Sequence, residues 1–263
     1  MGEVKWRRVA GFRVVMSWPQ SGYAPPPRAP GGRAPASPAR EGQAPGRAGP
    51  ASLAARVAGM AGVVLILGGA ATVGYVIGAQ QHAPQPSPAA AGAIGPPPFK
   101  VHGLALPRSA PMSVDIPAIG VNSKLLHLGI TADGAIQVPS LDTEASEAAW
   151  YKYSATPGQI GASVIEGHVD SYLGPAVFFR LGALRPGDRV DVTLADGITA
   201  VFRVTGVREY AKSNFPAKTI YSATGYAALR LITCGGAFDY ATGHYLSSTV
   251  VFASLISSRP AGG

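Results

Sequence analysis

The sequence predicts a mainly β domain, a barrel or a sandwich, carried behind one membrane-spanning helix. Three observations predict it. Between residues 112 and 256, about eight short runs of β-forming residues are separated by Gly, Pro and Asp-Gly turns. Residues 57–78 form an apolar stretch of 22 residues with no charge. The formal net charge of +8 falls wholly before residue 105, where ten Lys/Arg face only Glu3 and Glu41, whereas residues 105–263 are neutral.

Residues 1–56 read as a basic cytoplasmic tail. From 17 to 52 they are dense in Pro, Gly, Ala, Ser and Arg and hold almost nothing that builds a core, the composition of a disordered segment. Trp6, Phe12, Val14 and Val15 precede it as an apolar patch, compatible with a short amphipathic segment or with a true start at Met16. The run 57–78 reaches about 33 Å as a helix, enough for a hydrocarbon core of about 30 Å. It lies too far from the N-terminus for an ordinary cleavable signal. Arg28, Arg33, Arg40, Arg47 and Arg56 precede it, and the next basic residue is Lys100. The positive-inside bias then puts the N-terminus in the cytoplasm and the rest outside, as in a single-pass membrane protein. Residues 79–111, with Pro84, Pro86, Pro88 and Pro96-Pro97-Pro98, read as a Pro-rich tether.

The external domain is expected over 112–263. Its strands are read at 113–121, 125–130, 135–139 after the Asp133-Gly134 turn, 162–168, 188–194, 199–207, 228–234 and 249–256. Helical patterns are confined to 144–150 and 176–181. Because the domain is neutral, the high pI belongs to the tail. A nucleic-acid partner, which wants a basic face on the fold, is not expected. No metal is expected either, since one Cys and scattered His lack ligand spacing. No glycine loop of dinucleotide or phosphate type appears, so no cofactor is expected.

Cys234 is the only cysteine, in Leu231-Ile232-Thr233-Cys234-Gly235-Gly236 at the lip of a strand. Alone it reads equally as a nucleophile or as a small buried hydrophobe. Its compartment weighs toward the nucleophile, because a free thiol in an oxidising place is a liability unless something uses it. A nucleophilic thiol needs a base and an oxyanion donor. His168, in Glu166-Gly167-His168-Val169-Asp170, is the natural base, although taken by itself it reads first as structural. His127 sits in an apolar run and His244 in a turn.

These residues resemble the sortases, membrane-anchored cysteine transpeptidases of Gram-positive bacteria, and most closely the class F type of actinobacteria. The resemblance runs through Ile116-Pro117-Ala118-Ile119-Gly120-Val121, Gly167-His168-Val169-Asp170, Val177-Phe178-Phe179-Arg180-Leu181 with Arg185-Pro186-Gly187-Asp188, and the TLxTC-like Leu231-Ile232-Thr233-Cys234. It implies an eight-stranded sortase-type β-barrel with short helices, with Cys234 as nucleophile and His168 as general acid/base. It also implies LPxTG-type surface-protein substrates and a cell-wall precursor amine as acceptor. The groove is expected near 176–181 and 213–221.

One departure stands out. The family supplies an arginine on the strand after the cysteine, and Gly243-His244-Tyr245-Leu246-Ser247-Ser248-Thr249-Val250 holds none. The only arginine beyond Cys234 is Arg259. Arg230 shares a strand face with Ile232 and Cys234, about 13 Å from the latter. It is the stand-in for oxyanion or substrate positioning, together with Thr233, although a structural rim role fits Arg230 as well. The missing arginine also keeps open a catalytically impaired, sortase-like domain that binds the envelope.

Overall fold

The computed structural model describes residues 82–93, 105–132 and 134–262; the expected tail and span lie outside the described residues. Among the described residues no helix is long and apolar enough to cross a membrane. The fold is mainly β. Eight strands form the barrel: β1 (Pro111–Ile116), β2 (Val121–Leu128), β3 (Ala148–Tyr151), β4 (Gly161–Glu166), β7 (Arg189–Leu194), β8 (Ile198–Ala211), β9 (Ala227–Asp239) and β10 (His244–Pro260). They close in the order β1-β2-β3-β4-β9-β10-β8-β7. β5 (Asp170–Ser171) and β6 (Gly174–Pro175) pair as a small ribbon outside it. Among the described residues there is one α-helix, α1, which is short and spans Ala217–Tyr221.

Two neighbouring pairs are parallel, β2 with β3 and β4 with β9. Parallel neighbours cannot be joined by a tight turn. The chain therefore leaves β4, builds β5 to β8, and returns at residue 227 to lie beside it. Because β4 and β9 run the same way, their C-terminal ends emerge at the same end of the barrel. That arrangement creates the site described below.

The alternation of β9 divides two apolar clusters. Leu229 and Leu231 belong to the main core with Ile165, Phe202, Val251 and Leu255. Ile232 belongs to a second cluster on the other face of the sheet, with Val164, Val250, Phe252 and, from α1, Ile220. Tyr151, Tyr210, Phe215 and Tyr221 pack over this second cluster. β4 is accordingly buried at every position, as a strand covered on both faces should be. Each fully buried Ile, Phe or Leu contributes about 1.5–3 kcal/mol of burial, so the segment 215–221 is an integral layer of the fold.

Three local expectations change. Residues 135–139 make a single bridge, Ile130 to Ile136, instead of a strand. The chain there must cross over to enter the sheet parallel to β2. The Ala- and Glu-rich stretch 144–150 reads as helix by propensity, but Ala148–Tyr151 is β3, held between β2 and β4. Pairing on both edges overrides a weak local preference. Residues 177–180 are turns, leading into a 3₁₀ turn at Leu181–Ala183.

Part of the stretch read as tether is packed against the barrel. Ala90, in the 3₁₀ turn Pro88–Ala91, is 0% exposed and joins the main core. Ala93 donates to the Thr205 carbonyl, and Arg208 donates to the carbonyls of Ala91 and Gly92. Leu106, whose amide donates to the Gly158 carbonyl, packs against the same core.

Candidate active site

In the β4–β9 ladder Glu166 stands opposite Ile232, and the Gly167 amide donates to the Ile232 carbonyl at 3.1 Å. His168 lies two residues past the end of β4, and Cys234 lies two residues further along β9 than Ile232. The predicted base and nucleophile, 66 positions apart in sequence, thus both follow the last pair of the parallel β4–β9 ladder. Gly167 permits the close packing, since a Cβ there would lie 2.6 Å from Val177 and 2.8 Å from Phe178.

His168 is buried, and its Nε2 lies 2.7 Å from the Pro139 carbonyl oxygen. A carbonyl only accepts, so Nε2 carries the proton and Nδ1 is the basic nitrogen of the neutral ring. Burial holds the imidazole below its ordinary value, against the opposing effects of the Pro139 carbonyl and Asp170. Pro139 belongs to the segment expected to be a strand. Its loop conformation is what brings that carbonyl to the histidine.

Cys234 is 9% exposed. Burial pushes its thiol up to about 11, Lys212 pulls it back, and Asp170 and Glu166 push it further up. Lys212 Nζ donates to Cys234 Sγ at 3.4 Å. Tyr245 donates to Asp170 Oδ2. The Asp170 carboxyl is raised by burial, against the effects of Tyr245 and His168. Behind the site, Glu166 is fully buried and pushed up to about 7, again by burial, while the hydrogen bond from Tyr221 lowers it. The site at rest therefore holds a neutral thiol and a neutral imidazole, with carboxyl groups near the thiol and one ammonium on the sulfur.

The structure does not gather the other two expected residues at the sulfur. Arg230 stands opposite Phe252 on β10, four positions from the Ser248–Cys234 pair. It is 2% exposed, stacks 4.7 Å over the Phe252 ring and donates to the Leu229 carbonyl. Thr233 is buried opposite Thr249, on the alternate face of β9, with no hydrogen bond to its Oγ1. Four residues at the site escaped the sequence reading of roles: Lys212, Glu166, Asp170 and Tyr245. Asp170 and Glu166 flank His168 and were open to suspicion on that ground. Lys212 carried no local signal, because only the return of β8 beside β10 brings it near Cys234. Among the described residues no cluster of three or more His, Cys, Asp or Glu is arranged to hold a metal ion.

Residues 114–256 match the family model of the sortase domain. Among solved structures, the chain is similar to the pilus-related sortase C of Group B Streptococcus, at 16% identity and TM-score 0.43 over 59% of this chain and 70% of that one. It is similar to sortase A of Listeria monocytogenes, at 15% identity and TM-score 0.43 over 59% and 91%. It is also similar to sortase A from Corynebacterium diphtheriae, at 20% identity and TM-score 0.43 over 57% and 62%. No curated protein sequence matches it.

Proposed function

The chain belongs to the sortase family of cysteine transpeptidases, and we propose that it cleaves an LPxTG-type sorting signal through a thioester on Cys234 and joins the acyl group to an amine of a cell-wall precursor. In this reading residues 57–78 anchor the protein in the membrane once, with the N-terminus in the cytoplasm and the barrel outside. The observation that supports this reading is the parallel pairing of β4 with β9, whose last pair, Glu166 and Ile232, lies two residues before both His168 and Cys234.

A thiol raised to about 11 makes ionisation at pH 7 unfavourable by roughly 5 kcal/mol. A standing thiolate is thus scarce, and the proton leaves as the sulfur attacks. His168 Nδ1 takes the thiol proton while Sγ bonds to the carbonyl carbon after the Thr of the signal. The Thr–Gly C–N bond then breaks, and the imidazolium returns the proton to the leaving amine. In the second half His168 takes a proton from the incoming amine, which attacks the thioester and releases Cys234. The aromatic layer of Tyr151, Phe215 and Tyr221 over the second cluster offers an apolar wall for the signal along the same sheet face.

The test is incubation of the full chain with a quenched LPxTG peptide and an amine acceptor. Cleavage and amine ligation are expected from the wild type, none from Cys234→Ala, and a rate lower by about 10²–10⁴-fold from His168→Ala. Cleavage surviving Cys234→Ala, or undiminished in His168→Ala, would overturn the mechanism. A wild type that binds the peptide without cleaving it points to the second reading, an impaired envelope-binding domain, which the serine opposite Cys234 favours.

A further inference from the structure

We propose that Lys212 is the catalytic cation of this site, holding negative charge first on Cys234 Sγ and then on the carbonyl oxygen that the sulfur attacks; the second half of this role rests on the transpeptidase reading. The sheet geometry explains how a residue 22 positions upstream arrives there. Across β8, β10 and β9, Tyr210, Ser248 and Cys234 form one row, since Ser248 pairs with both of the others. Tyr210 packs on the second cluster, so this row lies on the sheet face that carries Ile232. Lys212 follows β8 directly, two positions past Tyr210, as the first residue of the 3₁₀ turn Lys212–Asn214. Two strand spacings, about 10 Å, separate the ends of that row. The short Ser248 in the middle leaves a lysine side chain room to reach across, and Nζ ends 3.4 Å from Sγ.

The surroundings oppose negative charge on the sulfur. Asp170 and Glu166 both oppose charge on the thiol, and the Tyr245 hydroxyl, bonded to Asp170, lies at the same mouth. Glu209 Oε1 comes within 2.8 Å of where a Cβ on Gly236 would stand, two residues past the nucleophile. His168 starts neutral. Other cations near these strands are engaged elsewhere: Arg208 on the carbonyls of Ala91 and Gly92, Arg230 on the Phe252 ring, and Arg259 in an ion pair with Asp191. An ammonium has three donors on one atom, so it can hold the sulfur and later turn a second N–H toward an oxygen bonded to the carbon that the sulfur attacks.

The step balances without proton transfer from Lys212. The thiol proton goes to His168 Nδ1, and the sulfur pair forms the C–S bond. The C=O π pair moves to oxygen, where the ammonium donates a hydrogen bond. That pair returns as the C–N bond breaks and the amine leaves with the proton from His168.

The experiment measures the pH profile of iodoacetamide alkylation of Cys234 in the full chain, for wild type, Lys212→Gln and Lys212→Arg, alongside turnover of the LPxTG peptide. Lys212→Gln is expected to move the alkylation midpoint up by about one pH unit, which slows alkylation about tenfold below it. It is also expected to lower kcat/KM on the peptide by about 10²-fold, with Lys212→Arg recovering most of both. If the Lys212→Gln profile overlays the wild type, or if Lys212→Arg behaves as Lys212→Gln does, the proposal is overturned. An alkylation shift in Lys212→Gln, together with a wild type that does not turn over the peptide, supports Lys212 as the cation of the thiolate and removes the transpeptidase reading instead.

Discussion

The Tyr221 hydroxyl donates a 3.0 Å hydrogen bond to Glu166 Oε1, from the short helix α1 to a β4 carboxyl group that is 2% exposed. This bond ties the layer over the second apolar cluster to the strand that ends in His168. It also marks a buried acid, pushed up to about 7, that the chemistry of Cys234 and His168 leaves unused.

A carboxyl raised in the fold binds its proton where the unfolded chain has already lost it. Its contribution is therefore intact below the unfolded value and is lost as pH rises through about 7. Glu166→Gln keeps an acceptor for Tyr221 without the charge. It is expected to flatten the dependence of Tm on pH between about 5 and 8 and to gain on the order of 3 kcal/mol over wild type above that window. Thermal melts across that range check it, and parallel curves for the two proteins would refute the assignment.

Burial holds His168 below the ordinary imidazole value, so the base is already neutral at pH 7. The acid limb of kcat/KM should accordingly lie below about pH 6.5. Stability follows the same sign, since folding favours the neutral ring: the contribution is present above about 6.5 and is lost as pH falls toward the lowered value. His168→Ala should cut turnover by about 10²–10⁴-fold and abolish the acid limb in any residual rate. A pH–rate series decides it, and a limb that persists in His168→Ala assigns that titration to another group.

Asp170 opposes charge on Cys234 and favours it on His168. Asp170→Asn is therefore expected to speed alkylation of Cys234 at neutral pH severalfold while moving the acid limb of turnover further down. Tyr245→Phe, which removes the donor to Asp170, should raise the Asp170 carboxyl further. Slower alkylation in Asp170→Asn is the outcome that contradicts this electrostatic picture.

The packed segment 84–93 should behave as part of the domain. Ala90→Asp puts a charge into the main core and is expected to cost at least about 2 kcal/mol. Gly182→Val acts from the other side, because any Cβ there would stand 2.0 Å from the Pro84 carbonyl oxygen. Both should lower Tm and open the chain near residue 93 to limited proteolysis. An Ala90→Asp protein that melts like wild type shows that the segment adds nothing to the fold. Gln85 also accepts a 3.0 Å bond from the Gly236 amide, so release of the segment should alter Cys234 reactivity as well.

Much of the barrel was legible because alternation is local. The runs at 188–194 and 199–207 show their period without any knowledge of their partners, and they are β7 and the first part of β8. The errors fall where pairing outweighs propensity. Residues 144–150 have a helix former's composition, yet Ala148–Tyr151 has a strand's neighbours, whereas residues 135–139 have a strand's composition and only one bridge.

The sequence by itself determined the chemistry on offer: one thiol at the end of an apolar strand, one histidine after a glycine at the end of another, and no arginine where the resemblance expects one. The tertiary structure decided which groups meet. A parallel crossover of residues 167–226 sets β4 and β9 side by side, so that His168 and Cys234 each follow two residues after the Glu166–Ile232 pair. The extension of β8 to Ala211 then delivers Lys212 to the sulfur. Both depend on strand order and register over tens of residues. Burial likewise raises Cys234 and Glu166 and lowers His168, through desolvation by residues that only folding brings around them.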